Sequence, residues 1–161
     1  MAKLTFVCWG NICRSPMGEQ VARAWAERSG LDVEIDSAGI SSEELGNPID
    51  RRAARMLREH GYAPGDHRAK QADRRLVDES DLVLAFEPLH LARLQRLRPE
   101  ADHIHLVTDF DPNSPDGSGI PDPWYGSAAD FKLTLDAIEA AMPGIIDALR
   151  VLDGRRPSTD G

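Results

Sequence analysis

The sequence predicts an α/β fold: a single-domain three-layer sandwich, with a four-stranded parallel sheet and helices on both faces. Three observations predict it. Short apolar runs alternate four times with helical patterns, the signature of a mostly parallel sheet covered by helices. The chain has 161 residues, the size of one domain. No internal repeat or low-complexity block interrupts the alternation.

The elements follow in order. Leu4–Cys8 is a short apolar run with branched residues at Thr5 and Val7, and reads as a buried strand. Ser15-Pro16 supplies a helix cap and a proline at the first helical position. Met17, Val21, Ala24 and Trp25 share one face of that helix, and Gly30 stops it. Val33, Ile35 and Ser37 alternate as a second strand ending at Ala38-Gly39. Asn47-Pro48 opens a helix with Ile49, Ala53, Met56 and Leu57 inward, closed by Gly61.

After a polar stretch, Asp73–Glu79 reads as one or two helical turns. Leu82–Phe86 is the most apolar strand candidate. Pro88 starts a helix that points Leu91, Leu94 and Leu97 inward and stops before Pro99. His103–Val107 is the fourth strand. Thr108–Ser127 is a long proline- and glycine-rich loop holding Asp109, Asp111, Asp116 and Asp122, and loops of that length in small domains are often functional. The last helix runs from Ala128 to Leu152, with Pro143-Gly144 expected to kink or break it. The domain therefore spans 1–152, and 153–161 is expected to be a polar, disordered tail.

Composition is that of a soluble globular protein, 41% hydrophobic and 29% charged. A chain of this length buries about 70% of its unfolded surface and needs no disulfide staples. No apolar run approaches the ~20 residues of a membrane span. The N-terminus reads as a strand, not a signal peptide, and Cys8 and Cys13 are too few for a disulfide framework, so a cytoplasmic location is expected. Leaderless export stays open. The net charge of −8 argues against nucleic acid as a partner, since phosphate backbones require a basic face. No membrane partner and no cofactor or metal are expected, and the protein is expected to act as a monomer.

The chemistry concentrates in Cys8-Trp9-Gly10-Asn11-Ile12-Cys13-Arg14-Ser15-Pro16, between the first strand and the first helix. Such a loop converges backbone N–H groups on an anion at a helix N-terminus, completing the fold prediction with a phosphate-binding loop after the first strand. Gly10 and Asn11 are the residues most tolerant of the positive φ that a tight wrap demands. Arg14 offers two donors to two phosphate oxygens. The same electropositive setting favours a thiolate at Cys8, and Ser15 can donate its hydroxyl to that sulfur. A thiolate beneath a bound phosphate is a nucleophile aimed at phosphorus. The loop lacks the Gly-Lys-Ser/Thr of a Walker motif and the Cys-x-x-Cys of a thioredoxin-type site.

Val7–Pro16 resembles the phosphate-binding loop of the low-molecular-weight protein tyrosine phosphatases. Asp122-Pro123-Trp124-Tyr125-Gly126 is similar to that family's general-acid loop, and Asp36–Gly39 and Asp66–Gln71 also match family positions. Order and spacing agree over residues 3–152, with most resemblance to the actinobacterial members.

The resemblance implies a phosphocysteine on Cys8, with Arg14 binding the phosphoryl group and Asp122 as general acid, then base. It implies phosphate binding by the loop Trp9, Gly10, Asn11, Ile12, Cys13 and Ser15. Trp9, Trp124 and Tyr125 would be walls that grip the substrate ring. Ser37 and His67 would brace the loop with Asn11. Cys13 resembles the cysteine that captures oxidised Cys8 as a disulfide. The partners implied are tyrosine-phosphorylated proteins, and inorganic phosphate or other oxyanions in the loop.

Two residues depart from the family pattern. Glu87 stands where aspartate is usual, and is expected to cap the following helix less well. Trp9 is often smaller, and is expected to change which peptides fit. Three alternatives compete. An arsenate reductase needs further cysteines, and none follows Cys13. A phosphoarginine phosphatase, by resemblance, carries threonine where Ile12 stands. A non-catalytic phosphotyrosine-binding module is expected to lose Cys8, Arg14 or Asp122, and all three are present.

Overall fold

Strand β1 (Lys3–Cys8) is buried at every position after Lys3, because it has a neighbour on each edge and a helical layer on each face. The computed structural model describes residues 1–154. Four parallel strands lie in the order β2-β1-β3-β4, with β2 at Glu34–Gly39, β3 at Leu82–Ala85 and β4 at Ile104–Leu106. The helices are α1 (Arg14–Arg28), α2 (Arg51–Glu59), α3 (Arg74–Glu79), α4 (Pro88–Leu97) and α5 (Ala128–Gly154). Both the fold class and the strand count agree with the sequence reading.

The two-residue period of the strands divides the core in two. Leu4, Phe6 and Cys8 of β1, with Leu82 and Leu84 of β3, face a layer built by α1, α2 and α5. Val7, Val83 and Ala85 point the other way, onto Leu76 and Val77 of α3 and Leu94 of α4. Strand β2 lies on one side of β1 and β3 on the other, so the chain changes direction there. The carboxyl ends of β1 and β3 flank the crevice that such sheets use for ligands.

Several boundaries differ from expectation. Helix α1 begins at Arg14 with Cys13 as its N-cap, and Ser15 is not a cap. Its hydroxyl faces Cys8 and Asn11 instead. Helix α2 is capped by Asp50, whose carboxylate accepts from the Arg52 and Ala53 amides, and not by Asn47, whose side chain donates to Glu44. Of the three leucines expected to point inward on α4, Leu94 is fully buried while Leu91 and Leu97 are only partly covered. The long loop opens with a 3-10 turn at Val107–Phe110.

Helix α5 is not broken at Pro143-Gly144, and it runs on through Asp153 to Gly154. Interior proline costs a helix about 3 kcal/mol. Pro143 faces solvent, where the carbonyl it leaves unbonded can be hydrated, while Met142, Ile145, Ile146 and Leu149 stay buried on the other face. Burying one such side chain contributes roughly 1.5–3 kcal/mol, so four outweigh the lost hydrogen bond. Gly144 lets the helix pass close to the 3-10 turn: a Cβ there would sit 2.5 Å from the Phe110 carbonyl oxygen. Residues 155–161, the rest of the expected tail, lie outside the described residues.

Candidate active site

The loop between β1 and α1 turns on Asn11, a residue with φ of 60°. Of the two residues expected to tolerate positive φ, only Asn11 uses it. A left-handed non-glycine residue costs about 1–3 kcal/mol, and four hydrogen bonds worth roughly 0.5–1.5 kcal/mol each offset that. The Asn11 amide donates to Ser15 Oγ at 2.8 Å and to Ser37 Oγ at 3.0 Å. Its Oδ1 accepts the Lys70 amide at 3.0 Å. Its backbone carbonyl meets His67 Nε2, which must carry the hydrogen because a carbonyl only accepts. Ser37 and His67 therefore stand where loop supports were expected.

The bracing continues one residue further. Ser37 Oγ donates to Glu19 Oε1 at 2.8 Å, and the other Glu19 oxygen pairs with Arg23 at 3.0 Å. Glu19 is a buried carboxylate on α1, between Met17 and Val21. The sequence reading missed it. Its face of the helix carries Ser15, Pro16, Ala22 and Arg23, so no lone charge on an apolar face marked it in the sequence. Gly39 completes the support, since a Cβ there would lie 2.8 Å from the Trp9 carbonyl oxygen.

At the loop's floor, Cys8 Sγ lies 3.0 Å from Ser15 Oγ and receives the Ser15 amide at 3.4 Å. Arg14 is 2% exposed, and its Nη1 donates to Glu87 Oε2 at 2.7 Å and to the Ile120 carbonyl at 2.8 Å. Its Nη2 lies 3.7 Å from Asp122 Oδ2. Glu87 makes no side-chain capping bond on α4, so the weaker cap expected of glutamate is borne out. What the sequence did not reveal is that the carboxylate grips Arg14.

Next to Glu87 sits His90, 1% exposed, with Nε2 3.4 Å from Glu87 Oε2. Burial, and then the neighbouring Arg14 charge, push its pKa down to about 4, against a smaller opposing effect of Asp122. The ring is therefore neutral at ordinary pH. Its Nδ1 has no hydrogen-bond partner among the described residues.

Cys8, Arg14, Asp122, Gly10, Ile12 and Cys13 line one cavity of about 260 Å³. Trp9, Trp124 and Tyr125 line it too. Trp9 packs against His90, ring centroids 6.4 Å apart, with the Arg93 guanidinium 5.9 Å from its centroid. Trp124 is held by Arg52, which stacks 5.1 Å from its ring and donates to its carbonyl at 2.8 Å. Tyr125 is 95% exposed and stands at the rim. Glu43 and Glu44 complete the lining, a feature the sequence reading missed.

Of the loop's four aspartates, only Asp122 lines this cavity, with Oδ1 accepting the Trp124 amide at 3.1 Å. Asp109 and Asp111 are spent on local turns. Cys13 is buried beside Cys8, and both are free thiols. Burial, then the Asp50, Cys8 and Asp122 charges, push the Cys13 thiol far up. The residues expected at the site thus line the cavity, except Asn11 and Ser15, which are buried within the loop, and Ser37 and His67, which hydrogen-bond to Asn11.

Comparison with known proteins adds to this geometry. The model of the family "Low molecular weight phosphotyrosine protein phosphatase" matches residues 3–152. The chain is 41% identical over 154 residues to a low molecular weight protein-tyrosine-phosphatase of Streptomyces coelicolor, covering 92% of this chain and 93% of that protein. It is 40% identical over 147 residues to the low molecular weight protein-tyrosine phosphatase A of Mycobacterium tuberculosis, covering 89% of each. A protein tyrosine phosphatase crystal structure from Entamoeba histolytica superimposes with a TM-score of 0.89 at 29% identity, covering 95% of this chain and 99% of that one.

Proposed function

This chain belongs to the low molecular weight phosphotyrosine protein phosphatase family, and on that premise we propose that it hydrolyses phosphotyrosine in proteins through a phosphocysteine on Cys8. One observation carries the reading. Cys8, Arg14 and Asp122, from two distant stretches of chain, line a single aromatic-walled cavity.

The reaction runs in two steps. Phosphate enters the loop, held by its backbone N–H groups and by Arg14. The Cys8 thiolate attacks phosphorus in line. The phosphorus–aryl oxygen bond breaks, and Asp122 gives its proton to the departing phenolate. Proton transfer of this kind typically contributes ~10²–10⁴-fold. Asp122, now a carboxylate, takes a proton from water as that water attacks the phosphocysteine. The sulfur–phosphorus bond breaks, Ser15 donates a hydrogen bond to the leaving thiolate, and inorganic phosphate is released. Arg14 stabilises the charge on the phosphoryl oxygens in both steps.

Cavity depth supports tyrosine as the substrate side chain. Cys8 is buried while Trp124 and Tyr125 are exposed on the same lining, so the nucleophile sits deep and the aromatics stand outward. A phenol ring spans that depth. The short stems of phosphoserine and phosphothreonine hold phosphorus above the sulfur, and in-line attack needs reacting atoms ~3–3.5 Å apart. Ile12 on the lining suits an aryl group better than a polar guanidinium.

Substitution of the nucleophile tests the reading. Cys8→Ser abolishes turnover of phosphotyrosine peptides while vanadate and phosphate still bind by calorimetry, because the amides and Arg14 remain. Turnover persists in excess EDTA, since a thiolate, an arginine and a carboxyl suffice. Near-normal turnover by Cys8→Ser would reject the covalent mechanism.

A further inference from the structure

Helix α2 carries Arg51, Arg52, Arg55 and Arg58 within eight residues, in a chain whose net charge is −8. Arg52 is turned toward Trp124 and Asp50. The other three stand at i, i+4 and i+7, which places them on one helical face, and all three are exposed. Among the described residues Arg51 and Arg58 make no ion pair, and Arg55 has only an exposed pair with Glu59. Like charges at i, i+4 destabilise a helix, and a cation at its first turn opposes the helix dipole. Arg58, in the last turn, suits the dipole, so it is the Arg51 end of the stripe that works against the helix.

The stripe borders a groove of about 570 Å³ that also includes Pro48 and Ile49. The groove adjoins the cleft. The Asp50 amide, at the cap of α2, donates to the Ile12 carbonyl in the phosphate-binding loop at 2.8 Å, and Arg52 holds the Trp124 wall. Glu43 and Glu44 line the cleft itself. An acidic residue beside the phosphotyrosine is repelled by them and attracted by α2.

We propose that this arginine face docks an acidic segment lying to one side of the phosphotyrosine in the substrate protein. The inference rests on the phosphatase reading and specifies the substrates of that site. Seven residues of helix separate Arg51 from Arg58, about 10 Å, which an extended segment of about three residues covers. Charge selects this occupant: a run of aspartates or glutamates matches three arginines, and the apolar floor at Pro48 and Ile49 accepts the stems of their neighbours.

The experiment compares kcat/KM for four substrates: p-nitrophenyl phosphate, an uncharged phosphotyrosine peptide, and two peptides with three acidic residues before or after the phosphotyrosine. The wild type prefers one acidic peptide over the uncharged one by about tenfold at low ionic strength, since each exposed pair is worth about two- to fivefold. The preference collapses at 0.5 M salt. Arg51→Glu/Arg58→Glu abolishes it and leaves p-nitrophenyl phosphate and the uncharged peptide unchanged, which also shows the variant is folded. Arg51→Gln/Arg58→Gln gives an intermediate result.

A wild type with no acidic preference, or a variant that retains it, overturns the docking surface. So does arginine-dependent binding to phosphatidylserine vesicles with no discrimination among peptides, which assigns the stripe to membranes. If the wild type turns over neither p-nitrophenyl phosphate nor the uncharged peptide, it is the phosphatase reading that fails.

Discussion

Arg14 Nη1 lies 2.7 Å from Glu87 Oε2, and this ion pair ties the loop after β1 to the loop after β3. The two ends of the pair differ in setting. The guanidinium is buried, whereas the Glu87 side chain is 35% exposed. Arg14, proposed above to bind the phosphoryl group, is thus held from outside its own loop by a carboxylate that also borders His90.

Glu87→Gln is expected to lower kcat/KM for p-nitrophenyl phosphate about tenfold and to raise the inhibition constant of inorganic phosphate. An amide binds a guanidinium less strongly than a carboxylate does, and hydrogen bonds to charged groups contribute roughly 1.5–3 kcal/mol. Steady-state kinetics with phosphate as a competitive inhibitor measures both. An unchanged inhibition constant would remove Glu87 from the positioning of Arg14.

Asp122→Asn is expected to lose activity in proportion to how poor the leaving group is. Asparagine cannot supply a proton, so the loss is large for phosphotyrosine and smaller for p-nitrophenyl phosphate, whose anion leaves unaided. The measurement is kcat across aryl phosphates of graded leaving-group pKa, wild type against variant. Equal losses along the series would take Asp122 out of the acid role.

Peroxide treatment is expected to join Cys8 to Cys13, and the yield of disulfide should depend on pH. Only the thiolate of Cys13 can attack an oxidised Cys8, and burial and nearby carboxylates push that thiol's pKa well up. Its thiolate fraction then rises about tenfold per pH unit through the neutral range. Mass spectrometry at pH 6, 7 and 8 should show disulfide gaining on sulfinic acid as pH rises, with activity restored by reductant. A constant ratio would show that Cys13 is not the resolving thiol.

His90 gives the fold an acid-sensitive element. Its pKa is lowered from 6.5 to about 4, so below pH 6.5 the unfolded chain takes up a proton that the folded chain refuses. The stability this contributes is complete above pH 6.5 and lost as pH falls toward 4, on the order of 3 kcal/mol over the window. Thermal melts of His90→Leu should show a shallower fall in Tm between pH 6.5 and 4 than wild type. Parallel curves would mean that other groups set the acid response.

Much of this protein is written locally in its sequence. Leu4–Cys8 and Leu82–Phe86 are legible as apolar runs that need no partner to be recognised, and the second strand is legible by the alternation of Val33, Ile35 and Ser37. The loop from Cys8 to Ser15 is legible because its chemistry requires a cysteine, a turn-tolerant residue and an arginine at fixed spacing, all on contiguous chain. Asp122, Trp124 and Tyr125 are legible by resemblance in a second short motif.

Other features depend on residues far apart in the chain. Glu87 reads as a poor helix cap and proves to hold Arg14, 73 residues away, because the change of strand order brings the ends of β1 and β3 together. Glu19 carries no local signal of its role in the sequence and proves to end a hydrogen-bonded chain through Ser37 and Asn11 to Ser15. Pro143 reads as a break, yet α5 continues, because packing on its buried face outweighs one missing hydrogen bond. Local propensity and contiguous motifs act over a few residues, and the sequence alone determined what they govern. Partners for buried charges and the fate of a strained helix depend on what the fold brings into contact, and only the tertiary structure decided those.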